Sequence, residues 1–254
     1  MLPEFNIAKE IFLKYDLKLT EKQYEAFDIY AEFMAEYNEK VNLTAITKPY
    51  DILVKHFLDS AIPLTYLEFE DGYSLLDIGT GAGFPGLPMA IMFPKLKLTL
   101  MDANGKKITF LKELTEKIRR ILPIEVTIIQ ARAEDFARGD LRASFDIVTA
   151  RAVAPLAVLS EYALPYVKVG GVFLALKGAS ESYEQGAEIT EELGGDLADF
   201  AEYFLPVNEN TVGGTAETPG ETPGDLRRLF IIEKTNITPK KYPRSNAQIK
   251  KAKK

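Results

Sequence analysis

The 254-residue sequence predicts an α/β fold: a doubly wound, mostly parallel sheet with an antiparallel end, entered through a helical N-terminal cap. Three patterns predict it. Residues 3–69 repeat apolar side chains at helical spacing. From Tyr73, five short apolar runs alternate with helical stretches, and after Gly178 two more strand-like runs follow with turn-rich sequence between them.

In the cap, Phe5, Ala8, Ile11, Phe12 and Tyr15 share one helix face. Thr20 and Gln23 read as a capping box, each side chain satisfying the other's backbone N–H, ahead of Tyr24, Phe27, Tyr30, Met34 and Tyr37. Aromatics at that spacing belong in a core. Thr47 is expected to cap a further helix that holds Pro49 in its first turn and runs through Ile52, Val54, Phe57 and Leu58 toward Pro63. The strands follow over 74–79, 96–102, 124–130, 145–151 and 172–178, with helices over 106–121 and 156–167. Near-continuous apolar runs joined by helices are buried parallel strands, and such sheets bind ligands beyond the strands' carboxyl ends. Residues 201–207 and 227–235 then close the sheet as its antiparallel end. Their separator carries Glu-Thr-Pro-Gly twice, at 217–220 and 221–224, and 208–224 reads as a mobile hairpin insertion. The expected division is a cap over 1–70, a ligand-binding domain over 71–237 and a basic tail over 238–254.

Composition narrows the chemistry. With no cysteine there are no disulfides, thiolate metal sites, iron–sulfur clusters or cysteine nucleophiles, and the single histidine, His56, leaves little for a transition metal. No metal is expected. The opening MLPEFNIAKEIF places acids where a secretory leader is basic, and no apolar run reaches the roughly 18 residues of a membrane helix, so a cytoplasmic location and no membrane partner are expected. Net charge is −6, but residues 238–254 carry +7, leaving −13 on the rest. Together with Lys106, Lys107, Arg132, Arg151 and Lys177, that tail suits a polyanionic partner; the plainer reading is a solubilising end.

The chemistry-bearing sequence begins at Asp77-Ile78-Gly79-Thr80-Gly81-Ala82-Gly83-Phe84-Pro85-Gly86. A strand ending in an acid and running into closely spaced glycines lets the backbone turn sharply and approach a nucleoside. Two frames fit. Asp-x-Gly-x-Gly-x-Gly from Asp77 is the methyltransferase pattern, whereas Gly81-x-Gly83-x-x-Gly86 satisfies the dinucleotide fingerprint. Asp102, ending the second strand, could hold ribose hydroxyls in either. Ala131 to Asp135 after the third strand could read an adenine edge, and Leu164 to Gly171 leads into the fifth strand as methyltransferase sheets do. These favour a Rossmann-like class I methyltransferase using S-adenosyl-L-methionine. A NAD-dependent oxidoreductase in the Gly81 frame and a non-catalytic S-adenosylmethionine-binding regulator remain the alternatives. Arg151 ends an apolar strand, which is costly unless it faces the cleft or a carboxylate, so it is the catalytic candidate. For His56 an interface role is favoured over acid–base work.

Missing residues bear on the acceptor. Carbon-5 pyrimidine methylation needs a cysteine nucleophile, and exocyclic adenine methylation usually uses Asn/Asp-Pro-Pro-aromatic where Thr149-Ala150-Arg151-Ala152-Val153 stands. Guanine N7 has a lone pair and no proton, so a site without an evident base suits it.

Asn42-Leu43-Thr44, His56 to Ser60, Asp77 to Pro85, Asn104 to Leu111, Arg132-Ala133-Glu134, Thr149 to Val153, Ala175 to Gly178 and Thr238 to Arg244 resemble the glucose-inhibited division protein B family of small-subunit rRNA 7-methylguanosine methyltransferases. The resemblance spans nearly the whole chain. It implies that Gly79, Phe84, Ala133, Glu134 and Arg151 occupy cofactor positions, beside the Gly81 and Asp102 read directly. It also implies a guanine of the 16S rRNA decoding-site loop as substrate, met in the RNA or in a 30S ribosomal particle. The 208–224 insertion is longer than the family's usual hairpin.

Overall fold

The computed structural model describes residues 1–151, 154–207, 224–245 and 247–249. Its centre is a seven-stranded sheet of order β3-β2-β1-β4-β5-β7-β6. The strands are β1 Ser74–Ile78, β2 Lys97–Asp102, β3 Glu125–Gln130, β4 Phe145–Arg151, β5 Val167–Gly178, β6 Gly195–Leu205 and β7 Asp225–Lys234. β1 to β5 pair in parallel, while β7 runs antiparallel between β5 and β6. The expected parallel sheet with an antiparallel end is therefore present, and chain order reverses direction between β1 and β4, where such sheets open a crevice.

Alternation along each strand builds two cores. Leu75, Leu98, Ile147 and Leu174 face one side and pack with α1 Phe5–Leu13, α2 Glu21–Asn38, α5 Gly86–Met92 and α6 Gly105–Arg119. Leu76, Val148, Phe173 and Phe230 face the other and pack with α8 Leu156–Ala163. The cap thus shares one core with the sheet. Its aromatics do what their spacing predicts: Phe27 stacks on Phe57 at 4.6 Å, and both are fully buried.

The capping box at Thr20 is present, with Gln23 N–H donating to Thr20 Oγ1 and Thr20 N–H donating to Gln23 Oε1. Thr47 does not cap the next helix. Lys48 occupies the N-cap in extended backbone without a side-chain bond, because Pro49 at the first helical position brings no N–H to be satisfied and confines its predecessor to that conformation. That helix is composite: α3 Pro49–Asp51, a π-helical stretch Ile52–Leu58, α4 Asp59–Ala61 and a 3₁₀ turn Ile62–Thr65. β5 begins earlier than 172 and bulges against β4 between Phe145 and Ile147. Gly171 allows this, since a Cβ there would lie 2.6 Å from Asp146 O. The expected insertion at 208–224 lies, apart from Gly224, outside the described residues.

Part of the basic tail is docked. Arg142 donates to the carbonyls of Thr238, Pro239 and Tyr242, Arg138 donates to Pro243 O, and Arg244 meets the fully buried Glu161 at 2.7 Å. Lys241 pairs with Glu192. Two of the tail's cations are thus neutralised within the fold. No helix among the described residues is long and apolar enough to cross a membrane, and none of their side chains cluster as a metal site.

Candidate active site

Gly79, Gly81 and Gly83 all hold positive φ, a backbone that side chains with a Cβ rarely adopt. Space separates their roles. A Cβ at Gly83 would lie 2.5 Å from the Tyr30 hydroxyl and one at Gly86 2.7 Å from Asp77 Cβ, so these two serve internal packing. At Gly81 nothing approaches within 3.8 Å, which leaves its backbone open to a ligand.

Asp77 organises the loop from beneath. Its Oδ2 accepts from Thr80 Oγ1 at 2.6 Å and from Gly86 N–H at 2.8 Å. Its Oδ1, fully buried, is the one buried side-chain polar atom among the described residues without a hydrogen-bond partner. Burial raises the carboxyl to about 7, against the lowering pull of Thr80, Gly86 and Arg151. Asp102 ties the loop to the second strand: Oδ2 accepts from Gly81 N–H at 2.9 Å and Oδ1 from Asn104 N–H at 2.8 Å. Each oxygen keeps a lone pair for ribose hydroxyls, and Lys107 Nζ stands 3.9 Å away. Asn104 also caps α6 through Lys106 N–H. Parallel pairing sets the end of β3 beside that of β2, and Ala131 N–H donates to Asp102 O at 3.2 Å. There α7 Ala133–Phe136 begins, with Ala133 O accepting from Tyr166 Oη at 2.6 Å and Glu134 3.9 Å from Arg132. Gly79, Gly81, Asp102, Ala133 and Glu134 therefore lie along one rim. An open glycine backbone, two acids beside it and an orphaned buried carboxylate oxygen fit a nucleoside carrying an amino-acid ammonium.

Arg151 ends β4 on the other flank. Nη1 donates to Lys55 O at 3.0 Å and to Asp59 Oδ2 at 3.1 Å, and Nη2 lies 3.3 Å from His56 Nδ1. Its guanidinium stands 4.8 Å from the Phe84 ring, which lies parallel to His56 at 4.4 Å and to Tyr30 at 5.3 Å. Phe84 is thus 7 % exposed, a packing wedge that locks the glycine loop to the cap. His56 Nε2 reaches Thr44 Oγ1 at 2.8 Å, so both ring nitrogens are engaged. Burial and the Arg151 charge lower its pKa to about 3. The expected interface role describes it: at neutral pH the ring is uncharged, with its Nδ1 lone pair turned to Arg151 and its Nε2 engaged by Thr44.

Beyond this wall opens a cleft of about 610 Å³, lined by Ile46, Lys55, Asp59, Pro155, Leu176, Lys177, Glu181 and Arg227 as well as by His56 and Arg151. Lys177 donates to Ala154 O and to Glu181 Oε2. Lys106 and Arg132 lie on the outer rim and do not enter it. Ala152 and Val153 lie outside the described residues.

Several site residues escaped the sequence reading. Asp59 is the anchor of the flank, accepting from Tyr203 Oη at 2.9 Å and lying 3.7 Å from Arg227 as well as beside Arg151. It stood in the His56 to Ser60 motif, but nothing local marks its partners. Tyr30 read as core, and is, yet its hydroxyl also donates to Ala82 O inside the glycine loop.

Comparison with known proteins agrees with this geometry. The profile of GidB, described as rRNA small subunit methyltransferase G, matches residues 23–193. Proteins named ribosomal RNA small subunit methyltransferase G are similar over most of their length. That of Bacillus thuringiensis (strain Al Hakam) is 43% identical over 231 residues, 90% of this chain and 89% of the relative. That of Staphylococcus aureus (strain Newman) is 43% identical over 233 residues, 91% and 90%. A solved structure from Bacillus halodurans C-125, assigned as a methyltransferase, superposes with a TM-score of 0.51 at 16% identity, over 70% of this chain and 99% of that one, a likeness of fold.

Proposed function

Since the chain belongs to the GidB family of rRNA small subunit methyltransferases, we propose that it transfers a methyl group from S-adenosylmethionine to N7 of a guanine in the decoding-site loop of 16S rRNA. The cofactor, when bound, supplies an electrophilic methyl on a sulfonium. The open Gly81 backbone admits its nucleoside, Asp102 holds the ribose, Ala133 and Glu134 read the adenine, and the buried Asp77 holds the glycine loop from beneath. Arg151, with Phe84 stacked against it, stands between the glycine loop and the cleft and orients the incoming base.

One observation carries this reading: the glycine loop and the cation-lined cleft meet at the Phe84–His56–Arg151 wall, where the only imidazole is neutral and fully engaged. A nucleophile that must first lose a proton is poorly served there. Guanine N7 needs alignment only, and alignment by itself contributes several kcal/mol. Lys55, Lys177 and Arg227 line the cleft in ion pairs with Asp51, Glu181, Asp59 and Asp225, so the attraction for RNA phosphates comes chiefly from the lysines of the tail beyond residue 244. An assembled 30S particle, in the cytoplasm, presents the same loop.

The test is incubation with labelled S-adenosylmethionine and either naked 16S rRNA or 30S particles lacking the mark, followed by nucleoside analysis. Label in 7-methylguanosine at one site is expected. Label in another nucleoside, or cofactor binding with no transfer to either substrate, would overturn the assignment.

A further inference from the structure

The cleft beyond Arg151 carries a carboxylate for which the methyl-transfer step has no use. Along the carboxyl rim the sheet order places the glycine loop after β1, Arg151 at the end of β4, and Gly178 with Glu181 after β5. The far wall is therefore two strand spacings from the loop, roughly 10 Å. A guanine that points N7 at the loop turns its N1–H and 2-amino edge toward that far wall. Glu181 stands there. Its Oε1 accepts from Leu156 N–H at 2.6 Å, its Oε2 lies 3.3 Å from Lys177 Nζ, and its side chain is 17% exposed, on the cleft. These bonds fix the carboxylate and leave each oxygen a further lone pair. Asp59, the other acid of the cleft, is 4% exposed and occupied by Tyr203, Arg151 and Arg227. Ile46, Pro155 and Leu176 supply apolar surface for the ring.

We propose that Glu181 is the specificity-determining residue for the acceptor base, its carboxylate accepting hydrogen bonds from N1–H and the 2-amino group of the target guanine. Single-stranded RNA bases are read along this edge when splayed from their stack. Adenine presents a lone pair at N1, which a carboxylate repels, so the same group that accepts guanine rejects adenine. The inference rests on the guanine N7 reading above.

The experiment compares wild type, Glu181→Gln and Glu181→Asp on an RNA carrying guanosine or inosine at the target position. Inosine lacks only the 2-amino group. Wild-type kcat/KM is expected to fall at least about tenfold on inosine, the loss of one charge-assisted hydrogen bond. Glu181→Gln should lose at least about tenfold on guanosine and show a guanosine-to-inosine ratio near one, because the one acceptor oxygen it keeps is held by Leu156 N–H and its amide NH2 faces the base's donors. Glu181→Asp should retain a preference for guanosine. Affinity for S-adenosylhomocysteine by calorimetry should stay unchanged in both variants, which a general structural fault would not allow. Equal use of both RNAs by wild type, or full discrimination by Glu181→Gln, overturns the proposal. Absence of methyl transfer to guanosine RNA by wild type condemns the underlying function itself.

Discussion

Replacing Arg151 by alanine removes the link between the sheet and the cap, and its cost can be worked from the contacts. The ion pair to Asp59 at 3.1 Å leaves a carboxylate that is 4% exposed. Losing a partner from a buried pair costs about 3–5 kcal/mol, but Arg227 at 3.7 Å and the Tyr203 hydroxyl remain, which places the loss near the lower bound. Loss of the Phe84 contact adds about 0.5–1 kcal/mol, and the freed carbonyls of Lys55 and His56 are wetted by the widened cleft. The sum is about 3.5–4 kcal/mol, which for a chain of this size lowers Tm by roughly 10 °C. Arg151→Lys keeps the charge without the planar fork and should lose about half as much. Asp59→Asn in the Arg151→Ala background should regain part of that stability by removing a buried charge left with Arg227 at 3.7 Å as its counter-ion. Turnover at saturating RNA should drop about 100-fold if the proposed alignment of the base by this wall holds. Thermal melts beside methyl-transfer assays decide it. An Arg151→Ala protein that melts within about 2 °C of wild type, or that turns over normally, would refute the reasoning.

The glycines should divide. Gly81→Val, at φ +62° and in open space, should abolish S-adenosylhomocysteine binding with a modest Tm loss, whereas Gly83→Ala, 2.5 Å from the Tyr30 hydroxyl, should lower Tm first; indistinguishable profiles would defeat that division. Asp102→Asn should weaken S-adenosylhomocysteine by about 1–3 kcal/mol in calorimetry and also lower Tm, since its amide can accept from only one of the Gly81 and Asn104 N–H groups; an unchanged Kd would show that the carboxylate points elsewhere. The pH dependence has two opposing parts. His56, lowered from 6.5 to about 3, binds fewer protons folded than unfolded, so its contribution to stability falls as pH drops through that window. Asp77, raised from 3.8 to about 7, binds more protons folded, so its contribution falls as pH rises from 3.8 to 7. His56→Gln should therefore lose less stability than wild type on acidification from about pH 6.5 to 4.5, as denaturation midpoints would show; an identical pH slope would mean that His56 titrates normally.

Much of this protein was legible because its determinants are local. The strand periods, the capping box at Thr20, the glycines that need positive φ and the acid ending β2 are set by neighbours a few residues away, and a linear reading sees such neighbours. The rim proposed for the cofactor follows, since parallel strands bring their carboxyl ends together whatever the details. The wall between loop and cleft does not follow. Asp59 meets Tyr203 across 144 positions, which needs β7 inserted between β5 and β6, and Arg151 meets His56 across 95, which needs the cap docked on the end of β4. The π-helical stretch Ile52–Leu58 precedes Asp59 and carries the Lys55 and His56 carbonyls that Arg151 holds, while Thr47 lost its expected cap to Pro49. Sequence alone marked the candidates for nucleoside binding, because candidacy depends on backbone freedom and side-chain type. Only the tertiary structure decided which of them touch, which glycine is open and which carboxylate is still available, because burial and pairing are properties of space that no spacing along the chain encodes.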